Sequence, residues 1–366
     1  MRLTCLQWRR RNSQQQLLWA LLTGASALLT LVVLFGPLQS PFRYWGRPPP
    51  LVHQMCSDLG SIPRQYRPYA ESWLTSHPRH RYLLWTDSGL RRLLARHYPE
   101  AANWTRRLLR SRLEFSDVAR YYLLLHYGGI YADLDVRARR QLPAYLDSLA
   151  NRKSAACGCY LGQEPVAHAV LLFGLPWLPS NALMACSPGH SFLRFVTDLL
   201  PLYVSRRASA LPGEGESRLG GFGANKYTGP LMLYRFLRKF ERQRQCKPSD
   251  PSCSVCLMEP EATMPYVDPS QRDLLRERCR AALSRRSLLP SLTSNALRAN
   301  FCAGPGAGAI DWLAGTPRNG NGGMVFAEHD FLHLAYGNRR PSQVLNASQL
   351  SAEYPGRVTL VTEELP

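Results

Sequence analysis

Lysine is nearly missing from this chain. Of 45 basic residues only Lys153, Lys226, Lys239 and Lys247 are lysine, so the formal net charge of +19 is carried by arginine. None of the four stands in a G-x-x-x-x-G-K-[S/T] pattern, which excludes the phosphate cradle of P-loop enzymes and a metal-dependent phosphotransferase built on it. No internal repeat is present, so the chain is not a repeat array. Nor does any pattern single out a catalytic nucleophile. What stands out is the stretch Phe115–Val136, FSDVARYYLLLHYGGIYADLDV. It joins a helical run, a Gly128-Gly129 break and a strand that ends in Asp133 and Asp135, one residue apart.

Local rules set the expectations for that stretch. Ser116 is a plausible N-cap and nothing breaks Val118–Leu125, which predicts a helix from Asp117, stopped by the two glycines. Asp117 and Arg120 then lie three apart and present a carboxylate and a guanidinium to one ligand; the plainer alternative is a surface ion pair. Beyond the glycines the period of two places Ile130, Ala132, Leu134 and Val136 on one face and Tyr131, Asp133 and Asp135 on the other. Two acids at the end of a buried strand need a partner, and a divalent cation with phosphate oxygens is the most economical one.

The ends predict the setting. Residues 17–38 carry no charge, and their 22 positions span roughly 30 Å as a helix, enough to cross a bilayer. Pro37-Leu-Gln-Ser-Pro41 is a poor cleavage site, which favours an uncleaved anchor over a signal peptide. Four arginines precede the span, against Arg43 and Arg47 after it, which puts the N-terminus in the cytoplasm and the rest in the lumen. The expected organisation is a cytoplasmic tail over 1–16, an anchor over 17–38, a proline-stiffened stem over 39–50 and a lumenal domain over 51–366. Two sequons, Asn103-Trp-Thr105 and Asn346-Ala-Ser348, fall on the lumenal side. Ten cysteines fit that compartment; Cys5 is cytoplasmic, and the other nine leave at least one thiol over. Cys157, Cys159, Cys246, Cys253 and Cys256 read first as disulfide staples and second as a zinc site. A lumenal position argues against nucleic acid as the partner of the arginine charge. Anionic nucleotide-linked donors and lipid headgroups fit it better, and a coding bias towards arginine is the plainest explanation.

Leu51–Gln54 and Tyr82–Trp85 read as buried strands, with helices at Tyr66–Thr75 and Leu90–His97. This alternation predicts an α/β domain with a mostly parallel sheet. Thr86 and Asp87 fall at a strand C-terminus, where such sheets bind ligands.

The Phe115–Val136 run resembles the S-D-x-x-R-y-x-x-L-x-x-y-G-G-I-Y-x-D-x-D signature of glycosyltransferase family 32. That family includes fungal mannosyltransferases of inositol phosphoceramide and the yeast initiating α-1,6-mannosyltransferase. Vertebrate α-1,4-galactosyltransferases and large clostridial glucosylating toxins are more distant. Leu51-Val-His-Gln54 is similar to the family's first strand, Pro179 through Phe192 to its S-N…H-P-f block, and Tyr227-Thr-Gly-Pro230 to its T-G-P turn, which leads into a helix at Leu231–Phe240. The resemblance runs from about 51 to 240. It fades over 241–325, which looks like a divergent insertion, and the usual C-terminal Trp is missing.

The resemblance implies a GT-A-type nucleotide-sugar-binding fold, a Golgi (or ER) type II membrane enzyme, and Mn²⁺ or Mg²⁺ as cofactor. It implies that Asp135 holds the metal, that Asp133 assists and contacts the donor, and that Asp117 and Arg120 grip donor hydroxyls. Tyr131 and Asn181 are expected near the donor; Tyr131 reads equally as core and Asn181 as a turn residue. Trp85 is a core aromatic or a base-stacking one. His329 or His333 is the candidate late ligand. The family retains anomeric configuration, which implies an α-linkage. The expected partners are a nucleotide sugar, GDP-mannose first and UDP-galactose or UDP-N-acetylglucosamine second, and a glycolipid or glycan acceptor. The alternative from another class is an inactive, lectin-like relative.

Overall fold

In the computed structural model the described residues are 46–363, apart from 61, 154–155, 207–221, 244–249, 285–293, 305–324 and 333–342. The predicted anchor, Cys246 and His333 therefore lie outside them. No helix among the described residues is long and apolar enough to cross a membrane.

Seven strands form one sheet: β1 (Leu51–Cys56), β2 (Arg81–Thr86), β3 (Gly129–Ala132), β5 (Cys159–Gln163), β6 (Pro179–Cys186), β7 (Val255–Leu257) and β9 (Val358–Val361), in the order β7-β5-β6-β3-β1-β2-β9. The pairs β1–β2, β1–β3, β2–β9 and β5–β7 are parallel, and only β6 runs against its neighbours. The mostly parallel α/β sheet is thus present. Two short strands, β4 (Val136–Ala138) and β8 (Ala327–His329), pair separately.

Side chains alternate across the sheet into two cores, the arrangement that buries a parallel sheet on both faces. Met55, Leu83, Trp85, Tyr131 and Met184 face one of them. It is covered by α2 (Asp87–His97), α3 (Pro99–Leu108), α4 (Arg112–Tyr127), α6 (Ser191–Ser205) and α8 (Pro230–Gln243). Val52, Tyr82, Leu84, Ile130 and Ala185 face the other, under α1 (Arg67–Ser76) and α5 (Leu142–Arg152). Between α6 and α8 the chain passes through the short α7 (Phe222–Tyr227).

Two local expectations are corrected. The helix α4 starts at Arg112, five residues before the expected Asp117, and its cap is Ser111. Ser111-Arg-Leu-Glu114 forms a capping arrangement: Ser111 Oγ accepts the Glu114 amide at 3.2 Å, and the Glu114 carboxylate accepts the Arg110 amide at 2.7 Å. Ser116 lies inside the helix, its hydroxyl donating back to Leu113 O at 2.9 Å. The strand expected to reach Val136 ends at Ala132. Asp133–Asp135 form a turn, closed by Val136 N–H to Asp133 O at 3.0 Å, and Val136 enters the second sheet.

The glycine stop is as expected. Gly128 and Gly129 have φ of 64° and 97°, and a Cβ on Gly129 would lie 2.8 Å from Leu51 O.

Disulfides join Cys157 to Cys256, Cys159 to Cys186 and Cys279 to Cys302, so these cysteines are staples and hold no zinc. Cys253 is disulfide-bonded as well, and Cys56 is free and buried. From 241–325, β7 joins the main sheet, and α9 (Arg272–Ser284) and α10 (Ser294–Ala303), bridged by Cys279–Cys302, share a small core with Val170 and Leu171.

Candidate active site

The site forms where the turn after β3 meets the segment after β8. Pairing of β4 with β8 sets His329 opposite Val136, next to Asp135. His329 Nε2 lies 3.1 Å from Asp135 Oδ1. Phe331 then takes φ +50°, a left-handed conformation rare for a bulky residue. After it, the Leu332 amide donates to Asp135 Oδ2 at 3.0 Å, while the Asp330 amide donates to Asp135 O at 3.1 Å.

Ligand atoms of Asp133, Asp135 and His329 all lie within 4.8 Å of one another. His329 Nδ1 is buried without a hydrogen-bond partner among the described residues, the kind of orphan that a ligand satisfies. Two carboxylates and an imidazole suit Mn²⁺; Mg²⁺ prefers oxygen throughout. A divalent cation therefore fits these residues.

Without one, Asp135 and His329 hold each other charged. Burial works against ionised Asp135, but His329 and the Leu332 amide outweigh it and keep its pKa down at about 2. Burial likewise works against the imidazolium, and Asp135 outweighs it, so His329 is raised to about 9.

Asp133 is fixed from four sides. Its Oδ1 accepts the Tyr131 hydroxyl at 2.5 Å and pairs with Arg120 Nη1 at 3.1 Å. Its carbonyl accepts Gln54 Nε2 at 2.8 Å, and its amide donates to Ala182 O at 2.8 Å. Its side chain remains 29% exposed.

Behind it lies a closed polar network. Asp117, Arg120 and Asn181 are all buried. Asp117 Oδ1 accepts Asn181 Nδ2 at 2.7 Å and faces Arg120 Nη2 at 3.2 Å; its Oδ2 accepts the Thr228 hydroxyl at 2.8 Å. Arg120 Nη1 also donates to Asn181 O at 2.8 Å, and its guanidinium lies 4.7 Å above the Tyr131 ring. Burial pushes the Asp117 carboxyl up to about 6, against the pull of Arg120, Thr228 and Asn181. The Asp117–Arg120 pair is therefore not a surface ion pair.

The structure brings together Asp133, Asp135 and His329, with Tyr131, Arg120, Asp117 and Asn181 behind them. Trp85 is elsewhere in role: it is fully buried and donates Nε1 to His53 Nδ1 at 3.1 Å, so no face is open for a base. Asp87 heads α2 and pairs with Arg112 at 2.8 Å. Asn103 is exposed on α3, and exposed Asn346 caps the helix Ala347–Glu353 by accepting the Gln349 amide at 2.9 Å.

Three site residues carried no sequence-based role: Gln54, Thr228 and Tyr121, whose hydroxyl donates to Thr228 O at 2.7 Å. Gln54 and Thr228 sit in the strand and T-G-P blocks that signalled them. Tyr121 had no signal beyond its place in the helix.

Residues 63–155 match the family described as glycosyltransferase sugar-binding region containing DXD motif. They include Asp117, Arg120 and both acids of the turn. The inositol phosphoceramide mannosyltransferase 3 of Schizosaccharomyces pombe is 31% identical over 159 residues, 42% of this chain and 38% of that protein. The mannosyl phosphorylinositol ceramide synthase CSH1 of Saccharomyces cerevisiae is 35% identical over 161 residues, 42% of this chain and 36% of that protein. The chain thus spans less than two-fifths of the length of these relatives. Among solved structures, the PaToxG glycosyltransferase aligns over 72% of this chain and 87% of its own, at 14% identity and a TM-score of 0.34.

Proposed function

We propose that this chain is a metal-dependent, retaining glycosyltransferase that moves mannose from GDP-mannose to a glycolipid, an inositol-phosphate-bearing sphingolipid first of all. The observation that carries the reading is the Asp133–Asp135–His329 group, whose two acids lie inside the matched segment 63–155. The names of the two relatives give mannose as the transferred sugar and an inositol-phosphate-bearing ceramide as its acceptor; GDP as the carrier is part of the proposal. Asp133, Asp135 and His329 would hold Mn²⁺. When bound, the ion neutralises charge on the diphosphate leaving group.

The chain's own residues position the rest. Tyr131, Arg120 and Gln54 hold Asp133 in place, and Asp117 and Asn181 lock Arg120 at the base of the donor site. The test is turnover of full-length protein with Mn²⁺ against GDP-mannose, UDP-galactose and UDP-N-acetylglucosamine. GDP-mannose should be the preferred donor; preference for a UDP-sugar would overturn the mannosyl assignment.

Proton release reports the ligand role of His329. Its pKa is raised to about 9 beside Asp135, so at neutral pH the free site holds a proton that a metal must displace. Mn²⁺ affinity should then rise by up to about tenfold per pH unit and level off above about 9. Calorimetry in buffers of different ionisation enthalpy measures the release. Binding with no proton released would remove His329 from the ligand set.

We further propose a lumenal catalytic domain held by 17–38 in the Golgi or ER membrane. Asn103 is exposed, and Asn346 uses its oxygen for capping, which leaves the amide nitrogen for a glycan. Endoglycosidase should shift the mobility of full-length protein, and changing both asparagines to Gln should abolish the shift. No modification at either site, together with protease access from the cytoplasmic side of intact membranes, would contradict this topology.

A further inference from the structure

The turn between α7 and α8 belongs to the buried network behind the acids: the Thr228 hydroxyl donates to Asp117, and Tyr121 donates to the Thr228 carbonyl. Trp177 approaches the same network from another direction, two residues before β6, the strand that carries Asn181 to Asp117. Around this turn four aromatics, Trp177, Tyr203, Tyr227 and Tyr234, are part-buried. Trp177 meets Tyr234 edge-on at 4.8 Å, Tyr203 lies 6.0 Å from Tyr227, and the Tyr203 hydroxyl donates to Lys226 O at 3.3 Å. Next to Tyr203 in the chain, Leu202 is 54% exposed, the most exposed large apolar side chain among the described residues. A single exposed leucine is ordinary. One set beside half-open tyrosines and a charged helix face marks an interface.

That face is cationic. Arg235, Arg238, Lys239 and Arg242 follow the helical spacing i, i+3, i+4, i+7 and are exposed, while Met232, Leu233, Phe236 and Phe240 of the same helix are buried. Arg235 donates to the Tyr203 hydroxyl, which joins the cations to the aromatics, and Lys226 Nζ lies 5.1 Å over the Tyr227 ring. With Arg194 of α6, six cations on α6, α7 and α8 stand against two acids, Asp198 and Glu241. None of the six pairs with an acid among the described residues. A coding bias towards arginine does not account for this, because it raises cations on every face alike. In the opposite layer Arg67 of α1 pairs with Glu71 and Glu353, and Arg152 of α5 pairs with Glu259.

We propose that α6, α7 and α8 form a membrane-docking surface whose partner is a bilayer carrying phosphoinositol headgroups. The cations meet the headgroup phosphates. Leu202 enters the acyl boundary, and the tyrosine and tryptophan rings take the interfacial level, which suits an apolar body with a polar tip. The inositol-phosphate-bearing lipid proposed above as acceptor is itself anionic, so docking gathers it beside the site. The choice of lipid rests on that glycolipid-acceptor reading; the surface itself rests on the side chains just described.

The experiment places the full chain in vesicles, with an environment-sensitive fluorophore on Leu202→Cys and with Cys5→Ser to keep the label there, Cys56 being buried. The span proposed for 17–38 keeps every variant on the membrane, so emission from position 202 reports docking of this face alone. With about 30 mol% phosphatidylinositol, emission should rise at least about threefold over vesicles of phosphatidylcholine alone. Combined Arg238→Glu, Lys239→Glu and Arg242→Glu should cancel the rise at an unchanged thermal midpoint. Salt at about 1 M should cancel it with no substitution. Equal emission in the two vesicles overturns the assignment, as does a rise that survives either the charge reversal or the salt. A rise of the same size with soluble inositol phosphate in place of the lipid overturns it too, since the surface then binds a free anion. Emission is read without donor, so protein that docks but transfers no sugar would sink the glycosyl-transfer reading and leave the surface standing.

Discussion

Asp135→Asn should abolish transfer, by at least about 1,000-fold in kcat/KM, and leave the fold standing. The amide oxygen can still accept the Leu332 amide that now binds Oδ2, and the Asp330 amide uses the backbone carbonyl, which is unchanged. What is lost is the negative charge opposite His329, at 3.1 Å, and with it a ligand of the proposed cation. The His329 pKa should fall with the loss of its partner. Mn²⁺ affinity should drop by about 100-fold or more, while the thermal midpoint moves by only a few degrees. Wild-type turnover under saturating Mn²⁺ would remove Asp135 from the metal site.

Arg120→Ala is expected to harm stability and activity together. The guanidinium meets Asp117, Asp133, the Asn181 carbonyl and the Tyr131 ring. Its removal leaves Asp117 buried without a cationic partner, a change that costs about 3–5 kcal/mol for a fully buried pair. Asp133 is partly open to water, so the lower part of that range applies, roughly 10 °C in thermal midpoint. Transfer should fall at least tenfold beyond the loss of folded protein, because Asp133 is no longer held. Arg120→Lys restores a charge without the fork and should recover stability more than activity. Activity within about twofold of wild type in the folded fraction would show that Asp133 needs no help from Arg120.

The reason these effects differ from a surface pair was only half visible in the sequence. Spacing placed Asp117 and Arg120 on one helix face, and both glycines and acids were legible because each obeys a local rule. Their burial was not, because it depends on Asn181 and Thr228, which reach Asp117 from 64 and 111 residues away. The strand was overextended because alternation continues through Asp133–Val136 although Val136 joins another sheet. The helix start was misplaced because Ser116 looked like a cap, while Ser111 and Glu114 offered the stronger signal. His329 lies 194 residues from Asp135, and only the β4–β8 pairing brings them together. Trp85 shows the limit of residue type as a guide: a tryptophan at a strand end can stack on a base, yet here both faces are in the core.

The central claim is that Asp133, Asp135 and His329 hold the cation on which a nucleotide sugar is placed. A crystal structure of the protein with Mn²⁺ and GDP, phased to show anomalous scattering at the manganese edge, tests it most directly. The account predicts one manganese peak within about 2.5 Å of an Asp135 oxygen, with Asp133 or His329 and a diphosphate oxygen completing the contact. A manganese peak bound elsewhere, or GDP seated with no metal at these residues, would contradict it.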